Sequence, residues 1–194
     1  MMISEKRVIE ILTESNVLLK GHFLLTSGRH SDQYMQCAQI LQYPKFTEEI
    51  SKGLAEEFKD DQIDIVVGPA MGGVILAYEM ARQLGVKNLF AERENGKMTL
   101  RRGFTIPKGA RVLIAEDVIT TGGSVREVME VVKAQGGEVV GVSLLIDRSN
   151  GEIQFGTKLR AALTTEVVSY ETDECPMCKE GKTELVKPGS RKII

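Results

Sequence analysis

The chain predicts an α/β fold, an open and mostly parallel sheet flanked by helices. Four short apolar runs, rich in β-branched residues, occupy positions 63–67, 86–91, 111–115 and 139–146. Strands buried on both faces read this way, because neither face calls for polar alternation. Stretches with helical spacing separate the runs, and a strand returns parallel to its predecessor only through such a crossover. A glycine-rich or charged segment then follows each run directly, where sheets of this kind bind their ligands.

Taken in order, residues 4–19 place Val8, Ile11, Leu12, Leu18 and Leu19 at helical spacing, with Ser4 as N-cap and Gly21 as stop. Residues 24–36 are polar and turn-rich, with short strand-like runs. Pro44 opens a second helix, where its missing N–H costs nothing, and Phe46, Ile50, Leu54 and Phe58 form that helix's apolar face. After the 63–67 run comes a helix of about 13 residues ending at Gly85. The 86–91 run is weakened by Lys87 and Asn88. A helix over 124–135 closes at Gly136-Gly137 before the 139–146 run. From Ser149 onward the pattern is less regular, and the chain ends in the basic, turn-rich KPGSRKII. No internal repeat or low-complexity segment interrupts it.

Composition narrows the function classes. The 194 residues hold 25 Lys and Arg against 27 Asp and Glu, a net charge of −2, which lacks the basic footprint of a broad nucleic-acid binder. A chain that is 42% hydrophobic and 27% charged folds rather than staying disordered. Three cysteines, an odd number, argue against a disulfide framework and fit a reducing compartment. No stretch approaches the ~18 apolar residues of a membrane span, and the N-terminal residues mix charge into their apolar positions, unlike a secretory leader. The expectation is a single cytoplasmic domain over 1–194, with neither membrane nor nucleic acid as a partner.

Four segments fall where ligands should bind: residues 68–73, 92–103, 116–124 and 147–148. The sharpest is the third. An apolar run enters Glu116 and Asp117, then Val118, Ile119, Thr120, Thr121, Gly122, Gly123 and Ser124, and then a helix. Backbone N–H groups of such a loop, backed by a helix N-terminus, cradle a phosphate, and the Thr and Ser hydroxyls add donors. Neither GxGxxG nor the Lys of a Walker A loop is present. Two carboxylates beside a phosphate make sense only if the ligand also offers sugar hydroxyls or a divalent metal. A phosphorylated sugar is the natural candidate. In residues 91–104, Asn95-Gly96 signals a type I′ hairpin, flanked by Arg93, Lys97, Arg101 and Arg102.

VLIAEDVITTGGS resembles the signature of type I phosphoribosyltransferases, which bind 5-phosphoribosyl 1-diphosphate (PRPP). Residues 25–34, LTSGRHSDQY, are similar to the SGR-x-S segment of the orotate-using branch, and Leu145-Ile146-Asp147-Arg148 to its strand-end Asp-Arg. The resemblance spans about residues 5–190. It implies a small N-terminal hood over about 1–40, joined by the C-terminal tail, a core over about 44–170, and a mobile lid hairpin. By it, Glu116 and Asp117 hold the ribose hydroxyls, and residues 120–124 take the 5-phosphate. The pyrophosphate loop falls at 68–74, including Met71 and Gly72. Thr120 and Arg148 contact orotate, whose carboxylate suits the planar Arg fork. Arg93, Lys97 and Asp117 are the implied catalytic residues, Mg²⁺ the implied cofactor, arriving with PRPP near Glu116 and Asp117. A homodimer sharing its lids is implied as well.

The sequence departs from better-studied bacterial members, which place lysines where Thr26 and Met71-Gly72 stand and carry more Lys and a His in the lid. Mg²⁺, Arg93 and Lys97 then carry more of the neutralisation. Two alternatives stay open: a phosphoribosyltransferase acting on a purine base, and a non-catalytic PRPP-responsive regulator that binds nucleic acid. Cys175-Pro176-Met177-Cys178 is a lone CxxC. A structural zinc site needs four ligands, and Cys37, His22 and His30 lie far away in sequence. The expectation for it is a surface turn.

Overall fold

The computed structural model describes residues 3–25, 27–166 and 168–187. Thr26 and most of the basic KPGSRKII tail lie outside them. In chain order the elements are α1 (Glu5–Glu14), β1 (Leu18–Leu24), β2 (His30–Met35), α2 (Ala38–Leu41), α3 (Pro44–Glu56), β3 (Ile65–Pro69), α4 (Gly72–Leu84), β4 (Lys87–Glu94), β5 (Lys97–Leu100), β6 (Arg111–Ile119), α5 (Gly123–Ala134), β7 (Glu138–Asp147), β8 (Lys158–Thr164), α6 (Pro176–Glu180) and β9 (Leu185–Val186). They form a six-stranded sheet of order β5-β4-β3-β6-β7-β8 and a three-stranded sheet of order β2-β1-β9.

In the large sheet only the β4–β5 pairing is antiparallel; β3, β4, β6, β7 and β8 run parallel. Strand alternation decides which helix each side chain meets. Leu113 and Ala115 of β6 join Leu145 of β7 in an apolar cluster with α1, α3 and α4, centred on Ile11, Ile50, Leu76 and Met80. Val112 and Ile114 face the other way, joining Val142 and Leu144 against Val125, Val128 and Val132 of α5. Each such fully buried side chain contributes about 1.5–3 kcal/mol relative to exposure, so the sheet is covered on both faces. The chain leaves β3 through α4 to β4 on one side of the sheet, and leaves β6 through α5 to β7 on the other. The strand order therefore reverses between β3 and β6, and the crevice at their carboxyl ends is a switch point.

Most elements fall where the sequence places them. Pro44 sits in the first turn of α3, and α4 runs 13 residues to a left-handed Gly85. Asn95 and Gly96 both take positive φ, 51° and 81°, as a type I′ turn requires, and β5 pairs back on β4 as the sheet edge. Three differences stand out. The first helix stops at Glu14 instead of reaching residue 19, although Ser4 does cap it, accepting from Arg7 N at 3.3 Å. Asn16 turns left-handed, and Leu18 and Leu19 enter β1, where pairing with Met35 and Tyr34 supplies partners a longer helix would forgo. Gly21 therefore lies inside a strand. The irregular stretch after Ser149 contains β8, parallel to β7. Finally, β6 extends past residue 115, so the acidic pair rides on the strand itself.

Candidate active site

Two cavities meet at the carboxyl ends of β6 and β7. The first, about 210 Å³, is lined by Arg93, Glu116, the backbone and side chains from Val118 to Val125, and Glu127. Its floor is the β6–α5 turn. Gly122 holds φ at 71° as the N-cap of α5, and a Cβ there would meet the Phe155 ring at 2.8 Å. Only glycine serves this turn. With no side-chain cap on α5, the helix's first N–H groups stay available to an anion.

Glu116 and Asp117 crown β6. Glu116 is 7% exposed, and its Oε1 accepts from Asp117 N at 3.1 Å; Asp117 Oδ1 accepts from Val118 N at 2.9 Å. Burial, with the Asp117 carboxylate beside it, pushes the Glu116 carboxyl up to about 9. Burial also raises Asp117, against the backbone hydrogen bonds that favour its charge. Such a pair is costly to ionise until a ligand supplies donors or a cation. The β3–α4 turn closes on it. A Cβ on Gly72 would lie 2.1 Å from Asp117 Oδ2, and one on Gly73 would lie 3.0 Å from Glu116 Oε1. Gly68 is as constrained, its Cβ position 2.1 Å from the Gly73 carbonyl oxygen. The small residues of 68–73 are thus required by the approach of β3–α4 to the acidic pair. Met71 is 84% exposed at the start of α4.

The second cavity, about 260 Å³, is lined by Arg148 together with Ser31, Asp32 and Gln33 of β2, Leu12 of α1, Leu163 and Thr164 at the end of β8, and Thr165 and Glu166 just after it. Arg148 is not paired with Asp147. The buried Asp147 carboxylate instead accepts from Ser149 N and Oγ at 2.8 and 2.6 Å. The Arg148 Nε is buried without a protein partner. The two cavities adjoin: Ile119 of the first accepts a hydrogen bond at its carbonyl from Arg148 N at 3.0 Å. Cys37, before α2, senses both sides, its thiol pushed up to about 12 by burial and by Asp117, against Arg148. It stays a protonated thiol at neutral pH.

The SGR-x-S segment builds the wall above this second cavity. Ser31 Oγ donates to Val168 O at 2.8 Å, and Arg29 donates to Ser169 Oγ and Ser169 O, both at 2.8 Å, and to Glu171. In the β4–β5 hairpin, Arg93 reaches the first cavity but is held by Glu127 at 2.8 Å and donates to Gly96 O at 3.1 Å. Arg101 and Arg102 pair with Glu94 and Glu92 at 3.2 Å each. Lys97 opens β5 beside the hairpin turn, outside the lining of both cavities. Glu127, which tethers Arg93, belongs to none of the motifs singled out in the sequence. Its position five residues after Gly122, one helical turn into α5, is the signal that would have found it.

Residues 36–155 match the phosphoribosyl transferase domain family. An orotate phosphoribosyltransferase of Caldanaerobacter subterraneus subsp. tengcongensis is 58% identical over 189 residues, covering 97% of this chain and 99% of that one. One from Pelotomaculum thermopropionicum is 58% identical over 186 residues, 96% and 97% of the two chains. Among solved structures, orotate phosphoribosyltransferase from Aeropyrum pernix superposes with a TM-score of 0.67 at 26% identity, over 81% of this chain and 93% of that one. Adenine phosphoribosyltransferase from Rhodothermus marinus shares the fold at a TM-score of 0.62 and 23% identity, over 82% and 99%.

Proposed function

The chain belongs to the orotate phosphoribosyltransferases, and from that membership we propose how its residues carry the transfer of the 5-phosphoribosyl group from PRPP to orotate. The products are orotidine 5′-monophosphate and pyrophosphate. One observation supports this reading most: an anion cradle at 120–124 and a cavity holding the partnerless Arg148 Nε adjoin across the end of β6.

In this reading residues 120–124 grip the 5-phosphate, and that remote binding energy positions the sugar for attack. Glu116 and Asp117 accept hydrogen bonds from the ribose 2- and 3-hydroxyls, the donors their burial calls for. Thr120 and Arg148 hold orotate, the guanidinium taking its carboxylate as a fork. A ring nitrogen of orotate attacks the anomeric carbon as the bond to pyrophosphate breaks with inversion, and the electron pair leaves on the diphosphate oxygen. No side chain need act as nucleophile. The backbone at Met71 and Gly72 meets the diphosphate. Oxygen donors such as Glu116 and Asp117, with substrate phosphates, fit Mg²⁺, which binds through one or two carboxylates and keeps the rest of its shell on phosphate and water. When bound, it supplies charge neutralisation of the leaving group.

Arg93 joins the phosphate contacts once a substrate anion competes with Glu127. Lys97, at the hairpin turn, reaches the pyrophosphate of a neighbouring subunit, so the lid works across a homodimer. Lid and hood exclude water around a reacting centre that water would otherwise intercept. Arg148→Gln tests the base assignment. Orotate affinity falls by about 10-fold to 100-fold, as loss of a charge-assisted pair predicts, while PRPP affinity holds. Calorimetric titration of each ligand reads both, and unchanged orotate affinity would remove Arg148 from the site.

A further inference from the structure

The Cys175-x-x-Cys178 segment is not an isolated surface turn. Cys175 is fully buried just before α6 and Cys178 lies within that helix. Beside them stand His22 of β1 and His30, the first residue of β2, 4% and 3% exposed. One ligand atom from each of the four lies within 4.8 Å of every other. His22 Nε2 is 3.0 Å from His30 Nδ1, 3.5 Å from Cys175 Sγ and 3.6 Å from Cys178 Sγ; Cys178 Sγ is 3.2 Å from His30 Nδ1. We propose that His22, His30, Cys175 and Cys178 bind one Zn²⁺ ion in a closed, tetrahedral, structural site.

The spacing is that of a coordination shell. Zn–N bonds near 2.05 Å and Zn–S bonds near 2.3 Å give tetrahedral edges of about 3.3 Å between nitrogens and about 3.6 Å between nitrogen and sulfur. The observed contacts, 3.0 Å between nitrogens and 3.2–3.6 Å between nitrogen and sulfur, lie at or a few tenths of an ångström inside these values. Two sulfurs and two imidazoles in such an array suit zinc better than a hard cation. The second shell agrees, because His22 Nδ1 lies 3.3 Å from the Thr183 carbonyl oxygen. A proton donated there leaves Nε2 bare toward the cluster, the arrangement that orients a metal-bound histidine. Neither cysteine is in a disulfide. As an alternative, a metal-free hydrogen-bonded cluster would set two weakly donating thiols, that of Cys175 buried, against two imidazoles without using their convergence.

The ligands come from two distant parts of the chain, and the ion would tie them. β9 already lies parallel to β1, with His22 opposite Leu185, and His30 exchanges backbone hydrogen bonds of 2.8 Å with Tyr170. Zinc would lock the C-terminal segment onto the hood and fix the strand that carries Ser31 and Gln33 into the cavity of Arg148. It is separate from the Mg²⁺ that accompanies PRPP.

The test is metal analysis of the untagged full chain, purified without chelator and gel-filtered into metal-free reducing buffer. The expected result is one zinc per chain by elemental analysis. Replacement with Co²⁺ should give the intense visible bands and sulfur-to-metal charge transfer of a tetrahedral thiolate site. Cys178→Ser, the exposed ligand, should lose most of the bound metal, and a strong chelator should lower the melting temperature of the wild-type chain but not of that variant. A wild-type chain that holds no zinc, even after incubation with Zn²⁺ and gel filtration, would overturn the proposal. So would full zinc retention by Cys178→Ser, or a weak octahedral Co²⁺ spectrum.

Discussion

At the scale of single residues, the chain gives up stability to hold its acidic pair. A carboxyl whose folded pKa is raised makes the folded state bind more protons than the unfolded one, so stability falls as pH rises. For Glu116 that window runs from its ordinary 4.5 to about 9. Glu116→Gln abolishes this slope. Its melting temperature should match wild type near about pH 5 and exceed it by a few degrees near about pH 8, a comparison calorimetry makes directly; a pH-independent difference would show that Glu116 is not held in this way. In the proposed function the same variant also loses a sugar contact. Asp117→Asn tests the neighbouring role and should lower kcat/KM for PRPP by about 100-fold, the worth of a charge-assisted hydrogen bond. The position of these residues at the end of an apolar strand, before a Thr/Gly/Ser loop, was legible in the sequence; their burial was not. His22 and His30 could be named as candidates but not joined to Cys175 and Cys178, since 148 to 156 residues separate them from the cysteines they contact. Only the fold brings them together.

At the scale of elements, glycines decide how closely β3–α4 approaches β6. Gly72→Ala would set a methyl against Asp117 Oδ2, and a rigid backbone on one side and a carboxylate on the other leave the carboxylate to move. The expected outcome is at least a 10-fold rise in KM for PRPP with about 1–3 kcal/mol of destabilisation, read by steady-state kinetics and urea unfolding. Wild-type KM in this variant would mean that Asp117 is not positioned by the turn. Elements were readable where one force dominated. The Gly85 stop of α4 and the Asn95-Gly96 turn are set by backbone conformation alone, and both appear as expected. Where tertiary pairing competed with local spacing, the reading failed. Leu18 and Leu19 fit a helical face but pair in β1. The strand β8 hid because Lys158 and Arg160 break its apolar run. They pair with Asp61 at 2.6 Å and Glu57 at 3.0 Å, so an edge strand accepts charges a central one would not.

At the scale of the whole molecule, a net charge of −2 conceals an ordered layout. Carboxylates are buried at the switch point between β3 and β6, a guanidinium faces the neighbouring cavity, and Arg93, Arg101 and Arg102 in and after the hairpin are paired with Glu127, Glu94 and Glu92. That layout suits a substrate anionic at both phosphate ends and hydroxylated between them. Among the described residues no helix is long and apolar enough to cross a membrane. The fold alone does not choose the base, since adenine phosphoribosyltransferase from Rhodothermus marinus shares it; in the function proposed above, the choice rests on Arg148 and the β2 wall. The most direct measurement is therefore pyrophosphate release from PRPP and Mg²⁺ with orotate, uracil, adenine or hypoxanthine offered in turn. Release with orotate alone, and none with uracil, which lacks the carboxylate, is the predicted result. Release with a purine base, or none with orotate, would contradict it.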